Sequence, residues 1–172
     1  MKARFVTACL ALSMALNAGA AELTLFDNVL RTVARDQLRA AVERSGGKLI
    51  SSVGDIDQFN VEKIGLNGAK ALEVVFIDGQ FVLAKYTFKM EYQKVEEFRA
   101  MLFAKYGPQA VQEKQRWEFD GGMQLVFYKP FLGDRCYLTY VHRGRLSILE
   151  ARSKEVDQTT AQRRAASNKS LF

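Results

Sequence analysis

The chain has 172 residues, of which 48% are apolar and 26% are charged, and its net charge is +6. This length and composition are typical of one globular domain, and they exclude a wholly disordered chain, a collagen-like chain and a small protein held together by disulfides. The positive charge points to nucleic acid or a membrane surface as partners to be considered first.

Residues 1–20 have the three parts of a secretory signal peptide. They begin with Lys2 and Arg4, continue with an apolar run over residues 5–16, and end in Ala18-Gly19-Ala20. An apolar run of about 12 residues is too short to span a membrane, which takes about 20, and no later stretch is long enough. We therefore predict cleavage after Ala20, export to the periplasm and no transmembrane segment in the mature chain.

Removal of the signal peptide changes how the net charge and the cysteines are interpreted. Once the signal is removed, residues 21–128 have a net charge of −1 and residues 129–172 a net charge of +5. Since an exported protein does not meet the nucleic acid of the cell, we predict no nucleic-acid partner. Cys9 leaves with the signal, so Cys136 has no partner for an intramolecular disulfide and is predicted to be buried.

The first half of the mature chain predicts a helix followed by strands. A short strand over residues 22–26 precedes a helix with Thr32 as its N-cap and Ser45-Gly46-Gly47 as its end. Two strand-rich segments, residues 71–77 and 80–89, then meet at Asp78-Gly79, which predicts an antiparallel hairpin. One further strand is predicted upstream, from Phe59, Val61 and residues 64–66.

The second half repeats this order of elements. Its helix has an apolar stripe at helical spacing, and Gly107-Pro108 ends it because proline cannot continue a helix. The stripe consists of Val95, Phe98, Met101, Leu102 and Tyr106. Strands are predicted over residues 115–119, 123–128, 135–142 and 146–151. From Ser153 onward the chain is polar, and we predict a disordered tail.

These elements predict an α+β fold. Residues 21–152 form a single domain, in which two units of a helix and antiparallel strands, residues 21–90 and 91–152, build a sheet that the helices cover on one face. A tandem duplication explains the repeated order of elements, and two unrelated units of the same kind are the alternative. Residues 153–172 form the polar tail.

Several short motifs resemble known proteins. They are Thr32-Val33-Ala34-Arg35-Asp36-Gln37-Leu38-Arg39, Leu66-Asn67-Gly68-Ala69, Ala84-Lys85-Tyr86-Thr87-Phe88, Lys105-Tyr106-Gly107-Pro108, Trp117 and Tyr137-Leu138-Thr139-Tyr140. With these motifs the chain resembles an uncharacterised group of small exported proteins of Gram-negative bacteria. Its order of elements is similar to the α+β modules of β-lactamase inhibitors and outer-membrane-assembly lipoproteins. The latter resemblance implies binding to other proteins, and neither brings a catalytic residue.

The mature chain lacks most residues that catalytic and metal sites require. With one histidine and one cysteine it cannot supply the usual ligands of zinc, and His142 lies about 20 Å along the predicted strand from Cys136, too far for a catalytic pair. Asp55 and Asp57 either bind Ca²⁺, act in acid–base catalysis, or serve a turn. We predict no catalytic residue, no cofactor and no metal.

The candidate binding residues lie on the strand over residues 135–142 and just after it. At a period of two, Arg135, Tyr137 and Arg143 share one face, and Arg145 follows. Guanidinium groups bind carboxylate or phosphate, and tyrosine adds stacking area. We therefore interpret the chain as a periplasmic, non-enzymatic binding module for a protein or an anionic envelope component. The alternatives are a solvated face without a partner, a purely structural envelope protein and a small carboxylate-dependent hydrolase.

Overall fold

The structure is a computed structural model that describes residues 22–108 and 114–169; the predicted signal peptide lies outside the described residues. The strands are β1 (Thr24–Leu25), β2 (Asn28–Val29), β3 (Lys48–Val53), β4 (Ile56–Asn60), β5 (Ala69–Ile77), β6 (Gln80–Lys89), β7 (Lys114–Phe119), β8 (Met123–Tyr128) and β9 (Arg135–His142). The helices are α1 (Arg35–Arg44), α2 (Tyr92–Tyr106) and α3 (Arg143–Lys169). A 3₁₀ turn at Asp120–Gly122 joins β7 to β8.

Seven strands form one antiparallel sheet in the order β3-β4-β5-β6-β9-β8-β7, and β1 pairs separately with β2. The chain builds this sheet in two meanders. The strands β3 to β6 run inward from one edge after α1, and β7 to β9 run inward from the other edge after α2. The meanders meet where β6 pairs with β9. The α+β class predicted from the sequence is therefore confirmed.

The β5–β6 hairpin forms at the predicted turn. Asp78 and Gly79 have φ angles of 51° and 75°, and a type I′ turn needs positive φ at both central residues. The strands β8 and β9 also have their predicted bounds. Local turn chemistry and the alternation of apolar residues are sufficient to specify these elements.

A large apolar core lies between one face of the sheet and the helices α1 and α2. The helices contribute Leu38, Val42, Val95 and Leu102, each at most 3% exposed. The sheet contributes Phe59, Tyr86, Phe88 and Phe127, each at most 1% exposed. Since burying one such side chain stabilises a protein by about 2 kcal/mol, this face of the sheet is the main source of stability.

The sequence predicts the C-terminal end of α2 correctly but not the N-terminal end of α1. The helix α2 ends as predicted at Gly107, whose φ is 92° and whose carbonyl accepts a hydrogen bond from Trp117 Nε1 at 2.9 Å. The prediction of Thr32 as N-cap of α1 is wrong, because the N-cap is Ala34, which makes no side-chain capping bond. The Thr32 hydroxyl instead lies 3.5 Å from the carbonyl of Val29 in the preceding turn.

The predicted strand over residues 146–151 is wrong, because this segment belongs to α3. Leu146 and Leu149, three residues apart on the helix, pack against a second apolar cluster. The cluster consists of Val75, Ile77 and Val82. Its members adjoin residues of the large core in sequence, so α3 lies on the opposite face of the sheet. The helix continues through residues 153–169, part of the segment predicted to be a disordered tail.

The sequence does not predict β3. Its residues are exposed or half-buried throughout, so the strand lacks the strong apolar alternation that marks a buried one. Residues 64–66, predicted as part of a strand, belong to the turn-rich connection between β4 and β5. The predicted first strand is present as Thr24–Leu25.

Candidate partner-binding face

The strand β9 presents two of the predicted binding residues on the outer face of the sheet, which is the face opposite α1 and α2. Cys136, Leu138 and Tyr140 point into the core and are at most 9% exposed, whereas Arg135 is exposed and Tyr137 is half-buried. The predicted alternation and the predicted burial of Cys136 are confirmed. Burial raises the pKa of the Cys136 thiol to about 11, so the thiol stays protonated at neutral pH.

Two tyrosines lie on this face near the β7 edge of the sheet, one on β9 and one on β8. Tyr137 is directly opposite Tyr128 of β8, and their rings stack with a centroid distance of 6.0 Å and an interplanar angle of 19°. The ammonium group of Lys114 in β7 lies 5.3 Å from the centre of the Tyr128 ring, a distance at which a cation and an aromatic ring attract each other. The aromatic surface therefore extends from β9 across β8 to a cation at the edge of the sheet.

Three cations surround the tyrosines: Lys114, Arg116 and Arg135. Arg116 follows Lys114 by two residues on the same face of β7, and Arg135 precedes Tyr137 by two residues on β9. None of the ion pairs between described residues involves these three cations. We refer to Lys114, Arg116, Tyr128, Arg135 and Tyr137 as the tyrosine face.

The structure separates the other two predicted residues from the tyrosine face. Arg143 and Arg145 belong to the first turn of α3, about 25 Å along β9 from its first residue. Nη1 of Arg145 donates hydrogen bonds to the carbonyls of Arg31 and Phe81, at 3.1 and 3.0 Å, so this side chain joins α3 to the rest of the fold. The guanidinium of Arg143 is exposed and lies 3.9 Å from the carboxylate of Glu118.

The sequence-based prediction does not include Tyr128, Lys114 or Arg116. A signal for the two cations is present, because charged residues at positions 114, 116 and 118 alternate with Gln115, Trp117 and Phe119. Such alternation predicts a strand with one charged outer face. The alternation does not reveal that this strand lies two places from β9 in the sheet, which depends on long-range strand order.

The two carboxylates Asp55 and Asp57 do not form a paired site. The side chain of Asp57 is 1% exposed beneath α1, whereas that of Asp55, in the β3–β4 turn, is 57% exposed. Arg35 binds Asp57 with two hydrogen bonds of 2.8 and 3.1 Å, and Arg39 adds a third of 2.8 Å. Burial opposes ionisation, but hydrogen bonds from Arg35, Arg39 and Ser52 outweigh it and lower the pKa of Asp57 to about 2. The arrangement therefore holds a permanent carboxylate and does not suit a proton donor.

The histidine considered above for catalysis, His142, also has a structural partner. His142 accepts a hydrogen bond on Nδ1 from the amide of Arg145 at 3.4 Å, and burial together with the charge of Arg145 lowers the pKa of the imidazole. The imidazole of His142 thus contacts the start of α3. Within residues 22–108 and 114–169, no three or more histidine, cysteine or carboxylate side chains are grouped to hold a metal ion.

None of the described helices is long and apolar enough to cross a membrane. Comparison of the chain with family models, curated proteins and solved structures found no match. The resemblance to small exported proteins therefore stays a prediction, and the geometry of the outer face is the basis for a functional proposal.

Proposed function

We propose that this chain is a periplasmic, non-enzymatic binding module that recognises a protein or an anionic component of the cell envelope through its tyrosine face. The observation that carries the proposal is the stack of Tyr128 and Tyr137 among cations that pair with no described carboxylate. Guanidinium and ammonium groups attract carboxylate and phosphate, and tyrosine supplies contact area with few rotatable bonds. Tyrosine and arginine are also the residues that often dominate the energy of protein interfaces.

The architecture supports a binding role for this face. The helices α1 and α2 pack on the inner face of the sheet, and α3 packs on the outer face around Val75, Ile77 and Val82. In this proposal the first two helices cover one face so that the strands can present the other to a partner. Residues on paired strands are held in position, which reduces the entropy lost on binding.

We also propose that the two helix-plus-strand units arose by tandem duplication. The support is the strand order, because the two meanders enter from opposite edges and meet at β6 and β9. Two like units related by a two-fold axis would have this arrangement. Superposition of α1 and β4–β6 on α2 and β7–β9 is the test, and a failure to superpose with the same connections would favour two unrelated units.

Export is tested by expressing the full chain in a Gram-negative host and sequencing the N-terminus of the protein in the periplasmic fraction. The proposal predicts that the mature chain begins at Ala21. Retention of the uncleaved chain in the cytoplasm would contradict a periplasmic role.

Binding is tested by immobilising the purified protein and presenting it with envelope extract or with vesicles that contain an anionic phospholipid. We expect Arg135→Glu and Tyr137→Ser to reduce the capture of one probe by about tenfold, since each removes an interface contact worth about 1–2 kcal/mol. The matched control is Arg44→Glu, which makes the same charge change on the exposed side of α1. Equal capture by the unchanged protein, the two tyrosine-face variants and the control variant would show that the tyrosine face is not the binding site.

A further inference from the structure

The two edges of the seven-stranded sheet differ in their protection against pairing with another strand. An edge strand leaves backbone N–H and C=O groups without strand partners, and charged side chains discourage pairing. The edge strand β7 has such charges at Lys114, Arg116 and Glu118. The edge strand β3 has one charged residue, Lys48 at its first position, and no described strand pairs with its free side. The β3 edge is therefore the more available of the two for pairing with another strand.

Apolar side chains are exposed beside the free edge of β3. Ile50 and Val53 are 65% and 72% exposed, and Ile56, opposite Val53 on β4, is 40% exposed. A bulge between Leu49 and Ser51 interrupts the register at Ile50. On the outer face, Val53 and Ile56 lie in one row with the buried Val75 of β5. The apolar row thus runs from the interior of the sheet to its uncovered edge.

The two ends of β3 carry opposite charge. At its start lies a groove of about 460 Å³, lined in part by Leu49, Lys48 and Lys63. None of the ion pairs between described residues involves Lys48 or Lys63, and the groove carboxylate Glu62 is bound by a lysine outside the groove, at 2.6 Å. At the other end, the β3–β4 turn carries Asp55, whose Oδ1 lies 3.9 Å from Nη1 of Arg35 and whose side chain is 57% exposed. This long ion pair leaves the carboxylate open to a second cation from solvent.

We propose that β3 is a dimerisation edge, at which two copies of this chain pair antiparallel about a two-fold axis. With the axis at Ser51 or Ser52, Lys48 of one copy lies next to the Gly54-Asp55 turn of the other, so that the cationic groove of each copy receives the acidic turn of its partner. The same pairing brings Val53 of one copy near Ile50 of the other. The edge is self-complementary in backbone groups, in charge and in apolar contact, as a two-fold interface requires.

The dimer has a consequence for binding that rests on the proposed function. A two-fold axis perpendicular to the sheet keeps the outer faces of both copies on the same side of one fourteen-stranded sheet, built from two seven-stranded sheets. The two tyrosine faces then lie at opposite ends of a shared surface. A partner with repeated sites would engage both, which raises its apparent affinity without any new contact.

The experiment is sedimentation velocity of the purified protein from about 5 to 500 µM, a range suited to interfaces of small area. We expect a concentration-dependent dimer. Asp55→Lys is expected to weaken it by about tenfold or more, because the substitution places like charges together, and Asp55→Lys with Lys48→Asp is expected to restore it. Ile50→Ser with Val53→Ser is expected to weaken it by about tenfold, since contact area is lost. Leu132→Ser, at an exposed leucine away from β3, is the matched control.

Each outcome decides the proposal. Recovery of the dimer in the charge-swapped variant supports it, as does amide-exchange protection of Ser51–Val53 that increases with concentration. A protein that stays monomeric over the whole range overturns it, and so does a dimer that the Asp55 and Ile50 variants leave unchanged. Arg135→Glu is expected to retain the dimer. The dimer proposal and the proposed binding through the tyrosine face can therefore fail independently, each in its own assay.

Discussion

The two ends of the sheet differ in whether their arginines form ion pairs with carboxylates. Near β3 and β4, Arg35 and Arg39 project from α1 toward the sheet, and both bind the buried Asp57. Near β7 and β9, Arg116 and Arg135 lie on the outer face and pair with no described carboxylate. A charge count along the chain does not distinguish these situations. What distinguishes them is whether the fold brings a carboxylate within reach of each guanidinium.

The bound arginines owe their position to helix geometry. Arg35 and Arg39 are four residues apart, so they lie on the same side of α1 and reach the same carboxylate. Arg35 also lies 5.7 Å from the centre of the Phe76 ring, and Nε of Arg39 is buried without a hydrogen-bond partner among the described residues. Because these groups are largely removed from water, the region depends on Asp57 for its stability.

The largest effect is expected from Asp57→Ala. Removing one member of a buried ion pair costs about 3–5 kcal/mol, and because Arg35 and Arg39 keep partial contact with water, we expect a loss of about 3 kcal/mol in the free energy of unfolding. Urea denaturation at neutral pH is the measurement. Asp55→Ala, in the adjacent exposed turn, is the control and is expected to cost less than about 1 kcal/mol. Equal losses for the two variants would contradict the difference in burial.

The next effect is a dependence of stability on pH. The pKa of Asp57 falls from 3.8 to about 2 on folding, which corresponds to about 2 kcal/mol. Because the folded pKa is the lower one, this contribution is present above about pH 4 and is lost as the pH falls through about 2. We expect unfolding curves of the wild type and Asp57→Asn, measured between neutral pH and pH 2, to converge in acid. A constant difference would argue against an ionised Asp57.

A smaller effect is expected where an arginine binds backbone carbonyls. Arg145→Ala removes the hydrogen bonds to Arg31 and Phe81 and is expected to cost about 2 kcal/mol, since a hydrogen bond from a charged group contributes about 1.5–3 kcal/mol. Arg143→Ala, two residues earlier, removes an exposed side chain and is expected to cost less than about 0.5 kcal/mol. Thermal unfolding of both variants measures the difference. Similar losses would show that Arg145 is not a structural residue.

The smallest effect on stability is expected at the tyrosine face. Arg116→Glu and Arg135→Glu change exposed side chains without described ion-pair partners, so each is expected to change the free energy of unfolding by less than about 0.5 kcal/mol. Chemical denaturation measures this, and Arg35→Glu is the comparison at the other end of the sheet. A large loss in the tyrosine-face variants would mean that these arginines are structural, which would remove the contrast between the two ends.

Most of the sheet was predictable because short-range signals specify it. The Asp78-Gly79 turn, the end of α2 at Gly107 and the bounds of β8 and β9 each depend on residues a few positions apart. The strand predicted over residues 146–151 failed because a short apolar run suits either a strand or a helix. The segment is helical where Leu146 and Leu149 pack against the second apolar cluster. That cluster lies far away in the chain, so the sequence of the segment alone does not show the contact.

The binding site was predictable only in part, for a related reason. The alternation in β9 correctly places Arg135 and Tyr137 on the outer face. It does not show that Arg145 is held by carbonyls 114 and 64 residues earlier in the chain. It also does not show that Tyr128 lies opposite Tyr137, because strand pairing is a long-range property.

By itself the sequence determined the α+β class, most of the turns and the face of β9 that carries Arg135 and Tyr137. Turn chemistry and side-chain alternation depend on neighbouring residues, and the chain carries that information locally. Only the tertiary structure decided which cations are bound by a carboxylate and which have no ion-pair partner among the described residues. That outcome depends on contacts such as those of Asp57 with α1, and these contacts form between residues that the folded chain brings together from separate elements.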